Sequence, residues 1–299
     1  MKRLFLFASY DKDKVINDSL LYYLRQLSEL GDIIFIMDTD VPSNELAKLS
    51  AVPNILHVCA IRHGEYDFGS YKRGYIWAHD NNKLQDYDWM YLVNDSVYGP
   101  LHSLKPLLDK LENNGADFVG MMENHTKSIP SHIQSWFLGL SKPIFTSDLF
   151  CRFISSVSRQ RNKWDIVMKY EVGLSQTLIR AGYSMHAMVY NNFEKDISYE
   201  DPILALNLGV PFIKKLALAN IDKFHYLYPH IDNAALLDYV HEAYLISNIN
   251  TNNQVVLYRK IFRFSLFGLP IITIYKRGKS SVYKICLFER IPVIKISYN

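Results

Sequence analysis

Cysteine is scarce in this chain: 299 residues hold three, Cys59, Cys151 and Cys286. They are odd in number and lack metal or redox spacing, which suits free thiols in a reducing cytoplasm. Long apolar runs are missing too. No uncharged stretch approaches the roughly 18 to 20 residues of a membrane span, so no integral membrane helix is expected. The opening Met1-Lys2-Arg3-Leu4-Phe5-Leu6-Phe7-Ala8 has the outline of a signal peptide, but its apolar part stops at Ser9 and Asp11, Lys12, Asp13 and Lys14 follow. It reads better as a first core strand. What the chain has in plenty is apolar and aromatic side chains, 49% and 14% of residues. That content supports a large core and excludes a disordered chain.

The formal net charge of +3 hides an asymmetry. Residues 258–299 hold nine Lys or Arg against the single Glu289, a net +8, so the remainder is acidic. The pattern before this tail alternates strand-like and helix-like segments. Strands are expected at 4–9, 33–37, 55–59, 89–93 and 118–122, with short strands at 134–138 and 143–146 and another at 184–190. Helices are expected at 15–30, 44–50, 71–81, 104–113, 147–156 and 171–181. Such alternation predicts an α/β, Rossmann-like, mostly parallel sheet flanked by helices. Three regions follow: a nucleotide-binding-like domain over 1–207, an amphipathic helical segment over 208–254, and a basic, β-rich module over 255–299. In the last, Leu266–Ile274 recurs with one insertion at Leu287–Ile296, as two short hairpins would.

Three polar clusters lie where strands hand over to loops or helices. Asn94-Asp95-Ser96 ends the apolar run Tyr91-Leu92-Val93, and the carboxyl ends of strands are where open α/β sheets bind ligands. The same turn also reads as an Asx-turn closing a strand. In Tyr66-Asp67-Phe68-Gly69-Ser70-Tyr71-Lys72-Arg73-Gly74, a helix start with two cations can hold phosphate, or Asp67 can be a plain N-cap. In Tyr170-Glu171-Val172-Gly173-Leu174-Ser175, Glu171 is placed to accept a proton in a cleft, or to stabilise a helix N-terminus.

Six blocks in one order resemble the rhamnan synthesis protein F family of bacterial polysaccharide glycosyltransferases. They are Phe7-Ala8-Ser9-Tyr10-Asp11-Lys12-Asp13, Tyr66 to Gly74, Asn94 to Pro100, His132-Ile133-Gln134-Ser135-Trp136-Phe137, Lys169 to Gln176, and Pro211-Phe212-Ile213-Lys214-Lys215. The resemblance implies a GT-A transferase that adds a sugar, often L-rhamnose from dTDP-L-rhamnose, to a growing surface polysaccharide or lipid-linked glycan. It implies that Ser9, Tyr10 and Asp11 meet the nucleoside, that Asp67, Gly69 and Lys72, with Arg73, line the donor pocket, and that Asn94, Asp95 and Ser96 face ribose and diphosphate. His132, Gln134 and Trp136 would face donor or acceptor, with His132 alternatively structural and Trp136 alternatively core. Glu171 aligns with the position of the general base in inverting enzymes.

GT-A enzymes usually carry Asp-x-Asp after the fourth strand, holding Mg²⁺ or Mn²⁺ on the donor diphosphate. Here Asn94 and Ser96 flank the one carboxylate, so Asp95 is the sole metal candidate. The basic tail, with aromatics among its cations, suits peripheral contact with an anionic membrane surface on the cytoplasmic side. An edge-protected sheet with a solvated basic rim explains it equally, and nucleic acid is not an expected partner.

Overall fold

The computed structural model describes residues 1–191 and 196–218, together with the backbone of strands 259–266, 269–276, 282–287 and 291–297. The chain divides into two compact units, Met1–Lys215 and Leu216–Asn299. In the first, β1 (Arg3–Ser9), β2 (Asp32–Met37), β3 (Ile55–Ala60), β4 (Trp89–Asn94), β6 (Phe118–Asn124), β7 (His132–Ile133), β8 (Phe137–Ser141) and β9 (Met185–Asn191) build an eight-stranded sheet. Between β4 and β6 in the chain, the short β5 (Val97–Tyr98) lies outside this sheet and pairs antiparallel with β10 (Ile213–Lys214).

The order β3-β2-β1-β4-β8-β6-β7 is parallel from β3 to β4, and β9 pairs parallel with β6. Only β8 and β7 run against their neighbours. This is the mostly parallel, helix-flanked sheet expected of the GT-A architecture. The chain steps outward from β1 to β2 and β3, then returns to place β4 on the other side of β1. The β1–β4 seam is therefore a topological switch point, where a crevice opens beyond the strand ends.

The central strands are near-continuous apolar runs because both faces are covered. Alternate side chains enter opposite layers: Phe5, Phe7, Phe35, Tyr91 and Val93 in one, Leu4, Leu6, Ile34, Ile36, Met90 and Leu92 in the other. Helix Asp18–Ser28 covers the first layer with Leu20, Leu21, Leu24 and Leu27, and the Asn17 side chain caps it by accepting from the Leu20 amide. Helix Tyr66–Asp80 covers the second with Phe68, Tyr71, Tyr75 and Ala78. At the amino ends of β1 and β4, buried Arg3 pairs with Glu112, and Tyr91 donates to the same carboxylate at 2.7 Å.

Three expectations need correction. Residues 143–146 do not form a strand; Lys142–Phe145 is a helical turn, with Pro143 at a first-turn position where its missing N–H costs nothing. The expected strand over 134–138 starts only at Phe137, because Ser135 spends its amide on a side chain rather than on a ladder. The helix expected from 171 is already under way at Lys163 and runs through a π-helical turn, Val167–Val172, into Gly173–Arg180. In the region expected to be helical over 208–254, residues 208–212 are turn and loop, Ile213–Lys214 is a strand and Lys215–Leu218 a helical turn; residues 219–254 lie outside the described residues.

In the second unit, β11 (Arg259–Leu266), β12 (Leu269–Lys276), β13 (Val282–Leu287) and β14 (Ile291–Ser297) form one antiparallel sheet in that order. The two expected hairpins are present and are joined through β12 and β13 into a single β-rich module. No helix among the described residues is long and apolar enough to cross a membrane.

Candidate functional site

Beyond the carboxyl ends of β1 and β4, polar side chains converge from five parts of the sequence. Ser9 ends β1 and donates from Oγ to Asp95 Oδ2 at 2.8 Å, and the Tyr10 amide approaches the same oxygen at 3.4 Å. Asn94, buried at the end of β4, accepts from the amide and hydroxyl of Ser96 at 3.0 and 2.6 Å. The Asx-turn is therefore real. The other end of that amide donates to Asp67 Oδ2 at 2.9 Å, tying the turn to the start of helix Tyr66–Asp80.

Asp67 is not the N-cap of its helix, since Glu65 holds that position and makes no side-chain cap bond. Its half-buried carboxyl is pushed up to about 6 by burial first and by the Asp95 charge second, with Lys163 and Lys214 pulling it back. Two neighbouring carboxylates in a poorly solvated cleft resist ionising together.

Glu171 sits within the π-helical turn, away from any helix start, so its side chain does not serve a helix dipole. π-Turns recur at functional positions because they displace one residue from the helical register. Its Oε2 accepts from the Ser135 amide at 2.7 Å and from Ser135 Oγ at 2.5 Å. Its Oε1 lies 3.7 Å from His132 Nε2, outside hydrogen-bond distance. His132 Nδ1 is 2.8 Å from the Pro130 carbonyl, which can only accept, so Nδ1 carries a proton and Nε2 is the ring nitrogen turned toward Glu171.

Gln134 and Trp136 form a buried floor: the indole Nε1 donates to Gln134 Oε1 at 2.7 Å, and the ring packs edge-on against Phe212. Lys214 Nζ lies 5.0 Å above the Trp136 ring and donates to Ser96 Oγ at 3.2 Å. Lys215 Nζ is 3.9 Å from Asp95 Oδ2 and 5.4 Å from the Tyr98 ring centre. No role was expected of these two lysines. Their block in the sequence marks them, but only the pairing of β10 with β5 brings them to the Asn94-Asp95-Ser96 turn.

Other expected residues are engaged locally. Lys72 Nζ donates to the Val157 carbonyl at 2.8 Å, and Arg73 bonds Glu65 and the Gly69 carbonyl on its own helix face. Gly69 is required sterically: a Cβ there would stand 2.3 Å from Glu65 Cβ and 2.9 Å from the His63 ring. Asp11 organises its loop by accepting from the amides of Asp13 and Val15. Tyr10 is exposed, with the Arg62 guanidinium 5.3 Å above its ring. Arg62 in turn pairs with Asp38 at the end of β2, whose other oxygen accepts from the amides of His63 and Gly64. Burial pushes His63 down to about 4 against the opposing pull of Asp38, so it is neutral at pH 7. Asp38 and Arg62 had no motif to reveal them.

The donor set does not suit a resident divalent cation. Among the described residues no three His, Cys, Asp or Glu side chains gather as ligands. Asp95, the one candidate, already accepts from Ser9 and has an ammonium 3.9 Å away, where a second cation would be repelled.

The switch point of a mostly parallel sheet, with three carboxylates, two ammonium groups and small hydroxyls gathered beyond its strand ends, places the protein among open, helix-flanked α/β proteins. Residues 33–291 match the family model described as rhamnan synthesis protein F, and the chain belongs to this family. It is 21% identical over 174 residues to the uncharacterized protein y4gN of Sinorhizobium fredii (strain NBRC 101917 / NGR234), a match spanning 57% of this chain and 44% of that protein. The chain thus aligns with less than half the length of this relative. Among solved structures it is similar to a protein of Desulfovibrio desulfuricans G20 described as a nucleotide-diphospho-sugar transferase, at 15% identity and TM-score 0.41, over 82% of this chain and 99% of the other. It is also similar to S. aureus TarS 1–349 in complex with UDP, at 10% identity and TM-score 0.36, over 91% and 96%.

Proposed function

We propose that the chain is an inverting glycosyltransferase that moves a sugar, L-rhamnose from dTDP-L-rhamnose as the first choice, to a growing cell-surface polysaccharide or lipid-linked glycan. The observation that carries this reading is the state of Glu171. One oxygen is held by both donors of Ser135, which fixes the carboxylate, while the other takes no hydrogen bond from the described residues. That is the arrangement a general base needs. The membership in a rhamnan synthesis family supports the choice of sugar.

In this reaction the acceptor hydroxyl oxygen forms a bond to the anomeric carbon as the bond from that carbon to the diphosphate oxygen breaks. The leaving nucleoside diphosphate takes the electron pair. Glu171 Oε1 takes the hydroxyl proton, with His132 Nε2 the adjacent acceptor. Ser9, Tyr10 and Asp11 lie on the nucleoside side of the crevice, and Asp67, Asn94, Asp95 and Ser96 on the diphosphate side. Gln134 and Trp136 form the floor beneath sugar or acceptor. Lys72, Arg73 and Gly69 act one step back, by building the helix that presents Asp67.

Incubation with a panel of sugar nucleotides and release of nucleoside diphosphate tests the activity. Glu171→Gln is expected to lower turnover by roughly 10² to 10⁴-fold while donor binding persists. Undiminished turnover would remove Glu171 from the mechanism, and a native chain that releases no diphosphate from any donor would refute the transferase reading.

The same proposal puts the protein on the cytoplasmic face of the membrane, held peripherally by the net +8 of residues 258–299. Each Lys or Arg near an anionic surface contributes about 1 kcal/mol before screening. Flotation of the full chain with phosphatidylserine vesicles, lost at high salt, is the expected result; equal flotation with neutral vesicles would refute electrostatic docking.

A further inference from the structure

The two lysines at the end of the first unit have no part in the reaction as drawn so far. We propose that Lys214 and Lys215 form the cation pair that receives the diphosphate of the nucleotide donor, in the place a divalent metal would otherwise take. The inference rests on the transferase reading and names the group that binds its leaving diphosphate.

Placement is the first argument. The register Ile213↔Tyr98 and Lys214↔Val97, extended by the Lys215 amide donating to the Ser96 carbonyl at 2.9 Å, fixes both lysines beside the Asn94-Asp95-Ser96 turn. Lys214 reaches Ser96 Oγ across 118 residues of sequence. This is the position at the switch point where a diphosphate would lie.

Charge is the second. Lys214 is half-buried, has no ion pair among the described residues, and rests between the Trp136 ring and a neutral hydroxyl. A cation so placed is held at a cost that an incoming anion removes. In keeping with that cost, burial pushes its ammonium down to about 8, although Glu171, Asp196 and Asp67 all pull it up. Lys215 faces Asp95 at 3.9 Å, a loose contact that leaves its ammonium open to a second anion.

Chemistry is the third. Each phosphoryl group of a sugar nucleotide carries a negative charge, and cleavage of the anomeric carbon to oxygen bond adds another. Fixed ammonium groups aimed at a developing charge stabilise the transition state without reorganising. A divalent ion on Asp95 would sit beside the Lys215 ammonium, which would repel it.

Titration calorimetry of the full chain with thymidine diphosphate and with thymidine monophosphate, in EDTA and again with Mg²⁺, tests the proposal. The diphosphate is expected to bind in EDTA, with Mg²⁺ changing its affinity less than about threefold. Lys214→Met and Lys215→Met are each expected to weaken the diphosphate by about tenfold or more and the monophosphate much less, with Lys214→Arg recovering most of the loss. Unfolding midpoints of the three variants within a few degrees of the native chain would attribute the loss to binding. Diphosphate binding that appears only with Mg²⁺, or that is unchanged in both Met variants, overturns the inference while leaving the transferase reading in place. If either Met variant fails to fold, the Arg variant decides: weak diphosphate binding by a folded Lys214→Arg chain counts against a simple charge role and overturns it. A native chain that binds neither nucleotide refutes the transferase reading, and the lysine assignment with it.

Discussion

Ser9 Oγ and Asp95 Oδ2 are 2.8 Å apart although 86 residues separate them in the chain. The bond closes the open end of the β1–β4 seam, where two parallel strands otherwise leave their last polar groups to solvent. Without it Asp95 keeps the long contact from the Tyr10 amide and the Lys215 ammonium at 3.9 Å. Ser9→Ala is expected to lower the unfolding free energy by about 1.5 to 3 kcal/mol, the range for a hydrogen bond to a charged group. Urea denaturation of the two chains measures it, and a difference near zero would mean that water replaces the hydroxyl without loss.

Asp67 makes stability depend on pH in an unusual direction. Its carboxyl is raised from 3.8 to about 6 on folding, by burial first and Asp95 second. Between those values the folded state binds more protons than the unfolded one, so this group's contribution falls as pH rises from about 4 to about 6. Asp67→Asn keeps an oxygen for Asn94 and removes the charge. The variant is expected to melt higher than the native chain above pH 6 and together with it below pH 4, by calorimetry across that range. A lower melting temperature at pH 7 would show that the charge is needed for folding.

Lys214 gives the opposite slope. Its pKa falls from 10.5 to about 8 on folding because of burial, opposed by Glu171, Asp196 and Asp67 and helped by Lys163. The unfolded state therefore binds more protons between about 8 and 10.5, and this group's contribution to stability rises with pH through that window. Diphosphate affinity should move the other way, declining above pH 8 as the free protein loses the ammonium it offers. Calorimetric titration from pH 7 to 9.5 checks this, with Lys214→Arg as the flat reference. A native profile as flat as that of the Arg variant would refute it.

Much of the sheet was legible because β1, β2 and β4 are apolar on both faces, and such runs have few alternatives in a chain of this composition. The Asn94-Asp95-Ser96 turn was legible for the same reason: it stops a buried run with polar groups at a strand end. Ile213–Lys214 was not, since two residues carry no period and the apolar spacing around them reads as helix. Its partner lies more than a hundred positions earlier, and nothing local to either segment encodes the pairing. Lys72 and Arg73 show how local partners compete with a ligand. Cations near a helix start suggest an anion site, but Arg73 follows Gly69 by one turn and Glu65 by two, so its own helix satisfies it first. The Glu171 block was expected to open a helix, yet the helix begins eight residues sooner, at Lys163, and the π-turn that displaces Glu171 has no sequence signature.

β10 is the last strand of the first unit and only two residues long. A shortened chain that stopped after helix Pro202–Asn207 would retain every strand of the eight-stranded sheet but lose Phe212, whose buried ring packs against Tyr23, Trp136 and Phe137. It would lose with that ring both ammonium groups that stand beside the Asn94-Asp95-Ser96 turn. Core and charge therefore share one boundary: Phe212 and Ile213 close the apolar layer and the next two residues carry the cations, so a truncation that keeps the sheet sealed is also one that keeps both lysines.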